Sequence, residues 1–261
     1  MKTRYEGAII DLDGTVYRGG SALEGAVAAV ERLRAAGVST VFLTNNPIKR
    51  RAVYVERLRS FGIDVVREDV INSAAIAGDF LAETHLGEPT FVVGEDPLVA
   101  ELEAAGVPVT ADPAEATVVL ASMDRAFSYD DLRDALVAFE NDPAFYATNP
   151  DRTCPVEGGE IPDAAAMIGA IEGLTGRELD RVLGKPSSIA VAIAADRLGV
   201  DPERCLVVGD RLETDVVMGQ QAGMTSVLVL SGVTDREDLE QSSIEPAYVL
   251  ESLGEIETVF E

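Results

Sequence analysis

The chain is short of positive charge, and of lysine above all. It carries 21 basic residues against 46 acidic ones, for a net charge of −25, and only Lys2, Lys49 and Lys185 are lysine, every other cation being arginine. No basic patch offsets this, which argues against sequence-independent nucleic-acid binding, since that depends on cations neutralising phosphates. There is one histidine, His85, and there are two cysteines, Cys154 and Cys205. The cysteines lie far apart and outside any metal-ligand spacing, and Cys205, in an apolar strand-like run, reads as core packing. No apolar run approaches the roughly 20 residues of a membrane span. Met1 to Gly7 is charged and polar, and Ile9 and Ile10 lead straight into acids, so neither a signal peptide nor a membrane anchor is expected and the protein reads as cytoplasmic.

What the chain has instead is acid spread along its whole length, the pattern of a solvated acidic surface. With arginine preferred over lysine, this is similar to proteins of salt-rich cytoplasm, where the Debye length falls to about 3 Å at 1 M salt and the surface charge is screened. The apolar fraction of 47% supports a folded core, and 261 residues are enough for two domains.

Short apolar runs alternate with helical patterns from the start, the signature of βαβ units and a parallel sheet. Tyr5 to Ile10 reads as a strand and Glu24 to Ala36 as a helix. Ser39 to Leu43 reads as a buried strand, followed by a helix opened by Pro47 and closed by Gly62. Val70 to Ile71 and a helix from Ser73 continue the series. A second series runs from Thr90 to Leu174. The first pattern then returns with Arg181 to Leu183, Ser187 to Leu198, Cys205 to Gly209, Thr214 to Ala222 and Thr225 to Leu230. Residues with chemistry stop at Asn46 and resume at Lys185, so the middle is expected to be an insert that splits one core.

Four segments carry that chemistry. Asp11-Leu12-Asp13-Gly14-Thr15 follows an apolar strand, where open α/β sheets bind ligands. Gly14 allows an irregular turn that aims both acids into one crevice, one to attack and one to move a proton; the alternative is an acidic turn after a strand. Thr44-Asn45-Asn46 also ends a strand, offering a hydroxyl and backbone N–H groups to phosphate oxygens, or merely capping the next helix. Gly184-Lys185-Pro186 holds one of three lysines, a compact point charge in a chain that otherwise uses arginine. Gly209-Asp210-Arg211 with Thr214-Asp215 follows the apolar strand Cys205 to Val208; Asp210 suits a hard cation with Asp215 in support, or the pair caps a helix. The four belong together electrostatically. A carboxylate approaching a phosphate meets repulsion on the order of 4 kcal/mol per like-charge pair at about 4 Å and a dielectric of 20, so acids, a metal and a lysine are all required.

The ordered set DLDGT, TNN, GKP and GDRLETD resembles the haloacid dehalogenase (HAD) superfamily, in its NagD-like, class IIA phosphatase branch, over essentially the whole chain. The resemblance implies a doubly wound parallel-sheet α/β core at 1–85 and 181–261, with an inserted α/β cap at 86–180. It implies Asp11 as nucleophile and Asp13 as general acid and base. Mg²⁺ would be held by Asp11, the Asp13 carbonyl and Asp210, with Asp215 in support, and the phosphoryl group by Thr44, Asn45 and Lys185. Its substrates would be small phosphorylated metabolites such as sugar phosphates or nucleotide monophosphates, or p-nitrophenyl phosphate, and many members are homodimers. Thr148-Asn149-Pro150-Asp151 is similar to a family segment near the substrate, which makes Asn149 and Asp151 candidate specificity residues, although an ordinary turn would look the same. Ser122-Met123-Asp124-Arg125 departs from the glycine-containing version of relatives. His85 is expected at the surface. A phosphomutase on the same core and a non-catalytic phosphate-binding module remain as alternatives, whereas a dehalogenase would have no use for Asp13 or a metal.

Overall fold

A computed structural model describes residues 3–156 and 158–260, and the chain divides into two units. The first takes the chain up to Thr44, Ala52–Ile71 and the chain from Lys185 onward; the second takes Asn45–Arg51 and Asn72–Gly184.

The first unit is built on a six-stranded sheet in the order Tyr248–Leu250, Thr225–Val229, Cys205–Gly209, Gly7–Ile10, Ser39–Thr44, Val70–Asn72. Its central pairs are parallel, Ile10 lying opposite Val208 on one side and Phe42 on the other. Parallel strands are covered on both faces, so they read as unbroken apolar runs, and every residue of Gly7–Ile10 and Cys205–Gly209 is buried. Helix Ala26–Ala35 turns Ala26, Ala29, Val30 and Leu33 inward at the 3–4 spacing of one helical face, and the 3₁₀ segment Leu253–Phe260 packs against it. From the first strand the chain builds outward through Ser39–Thr44 to one side, and the later strands fill the other, starting with Cys205–Gly209. The carboxyl ends of Gly7–Ile10 and Cys205–Gly209 thus meet at the topological switch point, where such sheets leave a crevice.

The second unit has its own four-stranded parallel sheet, Arg181–Val182, Ala144–Ala147, Val118–Ala121 and Thr90–Val93, and an antiparallel pair, Thr153–Val156 with Gly159–Pro162. Val119, Ala121, Phe145, Ala147 and Ile168 form its core. Among the described residues no helix is long and apolar enough to cross a membrane.

Three local expectations change. Arg181 and Val182 do not rejoin the first sheet; they pair with Tyr146 and Ala147, and the second unit runs on to Gly184. Helix Ser73–Thr84 also falls in the second unit, because Gly78 lets it approach helix Asp96–Ala104 so closely that a Cβ there would lie 3.0 Å from Ala105 Cβ. By packing, the second unit takes Asn45–Arg51 and Asn72–Gly184, where the expected insert runs 86–180. Pro47 does not open the second helix, which spans Arg51–Ser60. The stretch before it is held instead by side chains of the second unit: Asn72 Nδ2 donates to Lys49 O, and Glu101 accepts from the Arg51 backbone and guanidinium.

Candidate active site

Asp11 is the first residue past the strand Gly7–Ile10, and its N–H donates to Val208 O, extending the ladder by one step. Asp210 is the first residue past Cys205–Gly209. Lys185 precedes helix Ser188–Leu198, whose N-cap is Ser187, and Asp215 sits in a π-helical turn, Leu212–Val216. These four side chains are almost completely buried. The Lys185 ammonium donates to Asp11 Oδ1 at 2.5 Å, to Asp215 Oδ1 at 2.6 Å and to Leu43 O at 3.3 Å. One oxygen each from Asp11, Asp210 and Asp215 lie within 4.8 Å of one another.

Three buried carboxylates against one ammonium leave a surplus of negative charge. Burial raises the Asp11 pKa well above the usual carboxylate range, and Asp215 and Asp210 add to it while Lys185 opposes. Asp210 is pushed up to about 7, by burial and then by Asp215. For Lys185 burial works against the charge, yet Asp11 and Asp215 outweigh it and the ammonium is held above its ordinary range. An all-oxygen set with excess negative charge and no thiolate or imidazole is the donor chemistry of a hard divalent cation, and these residues fit one.

The loop after strand Thr225–Val229 completes the surroundings of Asp210. Val233 N–H donates to Asp210 Oδ2 at 2.7 Å, and Thr234 N–H to Asp210 O at 3.1 Å. Gly232 and Gly14 both press on this carboxylate, and a Cβ at either would overlap it; Gly14 also has φ +87°, which a side chain disfavours. Ser231 Oγ ties the loop to Gly14 O. Sequence reasoning missed this contribution, although Ser231-Gly232-Val233-Thr234 is one more polar, glycine-containing segment at the end of an apolar strand. Asp13 is half-buried beside Asp11, and Tyr17 OH donates to its Oδ2. Thr44 ends the strand Ser39–Thr44 and is buried.

In the second unit the remaining candidates form a buried polar network. Asp151 Oδ2 accepts from Asn45 Nδ2 at 2.8 Å and from Asn149 Nδ2 at 2.9 Å. Asn149 also donates to Asp163, which caps helix Ala164–Thr175, and accepts from Thr148 Oγ1, itself bonded to Ser122 Oγ. Ser73 Oγ donates to Asn45 O. Asn149 is fully buried and Asp151 nearly so. Asp163 and Ser73 had no signal as site residues in the sequence, and Ser122 was noted only within Ser122-Met123-Asp124-Arg125; their partners lie up to 28 positions away. His85, expected at the surface, keeps only 16% of its side chain exposed, between Glu88 Oε2 at 2.9 Å and Tyr146 OH at 3.0 Å.

Comparison with known proteins places the chain in a family. A model described as haloacid dehalogenase-like hydrolase matches residues 8–108, and one described as HAD-hydrolase-like matches 182–256. The chain is similar to the sugar-phosphatase AraL of Bacillus subtilis, 38% identical across 96% of this chain and 91% of the relative. Among solved structures, a p-nitrophenyl phosphatase from Archaeoglobus fulgidus superposes with a TM-score of 0.91 at 36% identity, covering 97% of this chain and 98% of that one. NagD from E. coli K-12 superposes with a TM-score of 0.86 at 30% identity, covering 98% of each. A carboxylate cluster at the switch point of a parallel sheet and likeness over nearly the full length agree: the chain belongs to the haloacid dehalogenase-like hydrolases, among their NagD-like, class IIA phosphatases.

Proposed function

We propose that this chain, a phosphoric monoester hydrolase, cleaves small phosphorylated metabolites, sugar phosphates foremost, through a phosphoryl group carried on Asp11. The observation that carries the reading is the buried Asp11–Lys185–Asp215 chain with Asp210 beside it, in a protein similar over nearly its full length to a sugar phosphatase.

Asp11 attacks phosphorus with a carboxylate oxygen while the ester P–O bond breaks, and Asp13 gives its proton to the departing oxygen. Asp13, now ionised, takes a proton from water as that water attacks phosphorus, which releases inorganic phosphate and frees Asp11. Thr44, Asn45 and Lys185 bind the phosphoryl oxygens. Asp11, the Asp13 carbonyl and Asp210 would hold Mg²⁺, with Asp215 fixing Lys185 at 2.6 Å. When bound, the ion offsets the negative charge shared by the carboxylates and the phosphoryl group. Asn149 and Asp151, in the second unit, set which ester is accepted; Asp151 accepts from both Asn45 and Asn149. The test is phosphate release from a panel of sugar phosphates, nucleotide monophosphates and p-nitrophenyl phosphate, with and without Mg²⁺. Metal-dependent hydrolysis of sugar phosphates is expected. Release independent of metal would overturn the metal assignment, and interconversion of sugar phosphate isomers faster than hydrolysis would make the chain a mutase.

The raised carboxyl groups fix how metal and pH act together. In the metal-free fold Asp11 and Asp210 hold their protons more tightly than an unfolded aspartate with a pKa near 3.9. The contribution of Asp210 to stability therefore declines as pH rises from about 4 through about 7, and that of Asp11 declines from about 4 upward in the same sense. Magnesium ion takes up the same oxygens, so its gain in Tm is expected to be larger at pH 8 than at pH 5. Thermal unfolding at both pH values, with MgCl₂ or EDTA, checks this; an equal gain at both would remove Asp11 and Asp210 as the ligands.

The surface gives a third expectation. A net charge of −25 on 261 residues repels itself at low salt. Raising KCl from 0.1 to 2 M is expected to raise Tm by roughly 10 °C, as screening shortens to a few Å, in keeping with a salt-rich cytoplasm. A Tm that falls with KCl would remove that reading.

A further inference from the structure

Tyr17 is among the largest side chains that are fully buried in the protein, yet it carries a polar hydroxyl close to the proposed chemistry. The turn after Asp13 brings it there. Gly14 N–H donates to Tyr17 O at 2.8 Å, and Val16 and Tyr17 N–H both donate to Leu12 O, so the chain folds back on itself within six residues. The ring is held on two further sides. Phe61 packs at 5.9 Å between centroids, and the Arg57 guanidinium lies 4.9 Å from the Tyr17 centroid. From that seat the phenol donates to Asp13 Oδ2 at 3.2 Å.

A buried phenol needs an acceptor, and a core packed this closely would do so at less cost with phenylalanine. The distance is long for a hydroxyl on a carboxylate, so the bond adds little charge stabilisation; what it adds is direction. In a protonated carboxyl the bare oxygen is a better acceptor than the one that carries the proton, so an O–H donor on one oxygen favours the proton on the other. With Oδ2 engaged by Tyr17, the transferable proton of Asp13 is directed to Oδ1, and the carboxyl plane is fixed.

We propose that Tyr17 is a positioning residue for proton transfer, holding the Asp13 carboxyl in the orientation that delivers a proton to the leaving oxygen and later accepts one from water. This rests on the reading of Asp11 and Asp13 given above, and leaving-group chemistry separates the two. An alkyl phosphate such as a hexose 6-phosphate needs a proton on its departing oxygen, whereas p-nitrophenolate leaves as a stable anion. The ratio of kcat/KM, alkyl over aryl, reports only steps up to formation of the phosphoryl-enzyme, before water is needed.

In Tyr17→Phe, which keeps the ring, this ratio is expected to fall about tenfold, part of the 10²–10⁴ that a positioned acid contributes. Asp13→Asn should lower it further. If Asp13→Asn lowers the ratio and Tyr17→Phe does not, the role of Tyr17 is overturned while the phosphatase reading stands. An equal loss on both esters in Tyr17→Phe marks general disruption and also overturns it. If Asp13→Asn leaves the ratio unmoved, the assignment of Asp13 fails and the proposal for Tyr17 fails with it. Arg57→Met loosens the ring but keeps the hydroxyl, and is expected to lower the ratio less than Tyr17→Phe does.

Discussion

Asp11→Asn is expected to lower kcat on p-nitrophenyl phosphate by about 10⁴-fold or more, the scale on which removal of an attacking side chain acts, while the metal-free fold becomes more stable. The two halves of this result have one cause. Asp11 is buried with two other carboxylates, and its raised pKa means that the fold disfavours its charge. Above the unfolded pKa near 4 that charge is a cost, and an amide of the same shape removes it while still accepting from the Lys185 ammonium. A rise of a few degrees in Tm in EDTA, beside a near-complete loss of phosphate release, would mark stability given up for a nucleophile. Turnover within tenfold of the wild type would exclude a covalent intermediate on Asp11. A large fall in Tm would instead make Asp11 a structural partner of Lys185.

How far the site could be read before the fold was known follows from where each contact lies in sequence. Asp11 and Asp210 were legible because an apolar run stops at each, and the ordered set of four such segments favours a site over an acidic turn or a helix cap at each one. Lys185 stood out by scarcity. Their assembly into one cluster was an electrostatic inference, and the bonds from Lys185 to Asp11 and Asp215 span 174 and 30 positions. The contact between Asn45 and Asp151 bridges 106 positions, and nothing local to either predicts it. Asn149 and Asp151 were expected in a segment near the substrate or in an ordinary turn; both are buried, because Asn45 and Asp163 give their polar atoms partners. The pairing of Arg181–Val182 was misread for the same reason: a two-residue strand has no pattern of its own and takes its sheet from Ala144–Ala147. Strand Tyr248–Leu250 and the segment Leu253–Phe260 went unread amid acidic residues, their inward faces being short. Tyr17 was invisible for a different reason, since an aromatic two residues past Asp-Gly-Thr is ordinary core until its hydroxyl is seen to reach Asp13.

Lys185→Met is expected to cost about 3–5 kcal/mol of metal-free stability at pH 8, the largest single effect on folding among these residues. Methionine fills much the same volume, so the loss is one of charge. Without the ammonium, Asp11 and Asp215 lose their shared donor and the carboxylate oxygens, all within 4.8 Å, face one another with repulsion on the order of 3 kcal/mol per pair at a dielectric of 20. Protonation is the escape available to the fold. Asp11 and Asp210 already stand above the usual range, and removing the cation that holds them down moves both higher. An acid with a raised folded pKa loses stability as pH climbs from its unfolded value to its folded one, so the deficit of the variant is small at pH 5 and grows through neutrality. Urea unfolding in EDTA at pH 5 and pH 8 measures it. Magnesium ion restores positive charge to the same oxygens, so part of the stability is expected to return with MgCl₂. Activity is not, because Lys185 is also proposed to bind the phosphoryl oxygens, and kcat/KM should remain down by about 10³-fold. A deficit equal at both pH values would mean that packing around the lysine stem, not its charge, holds this end of the sheet together.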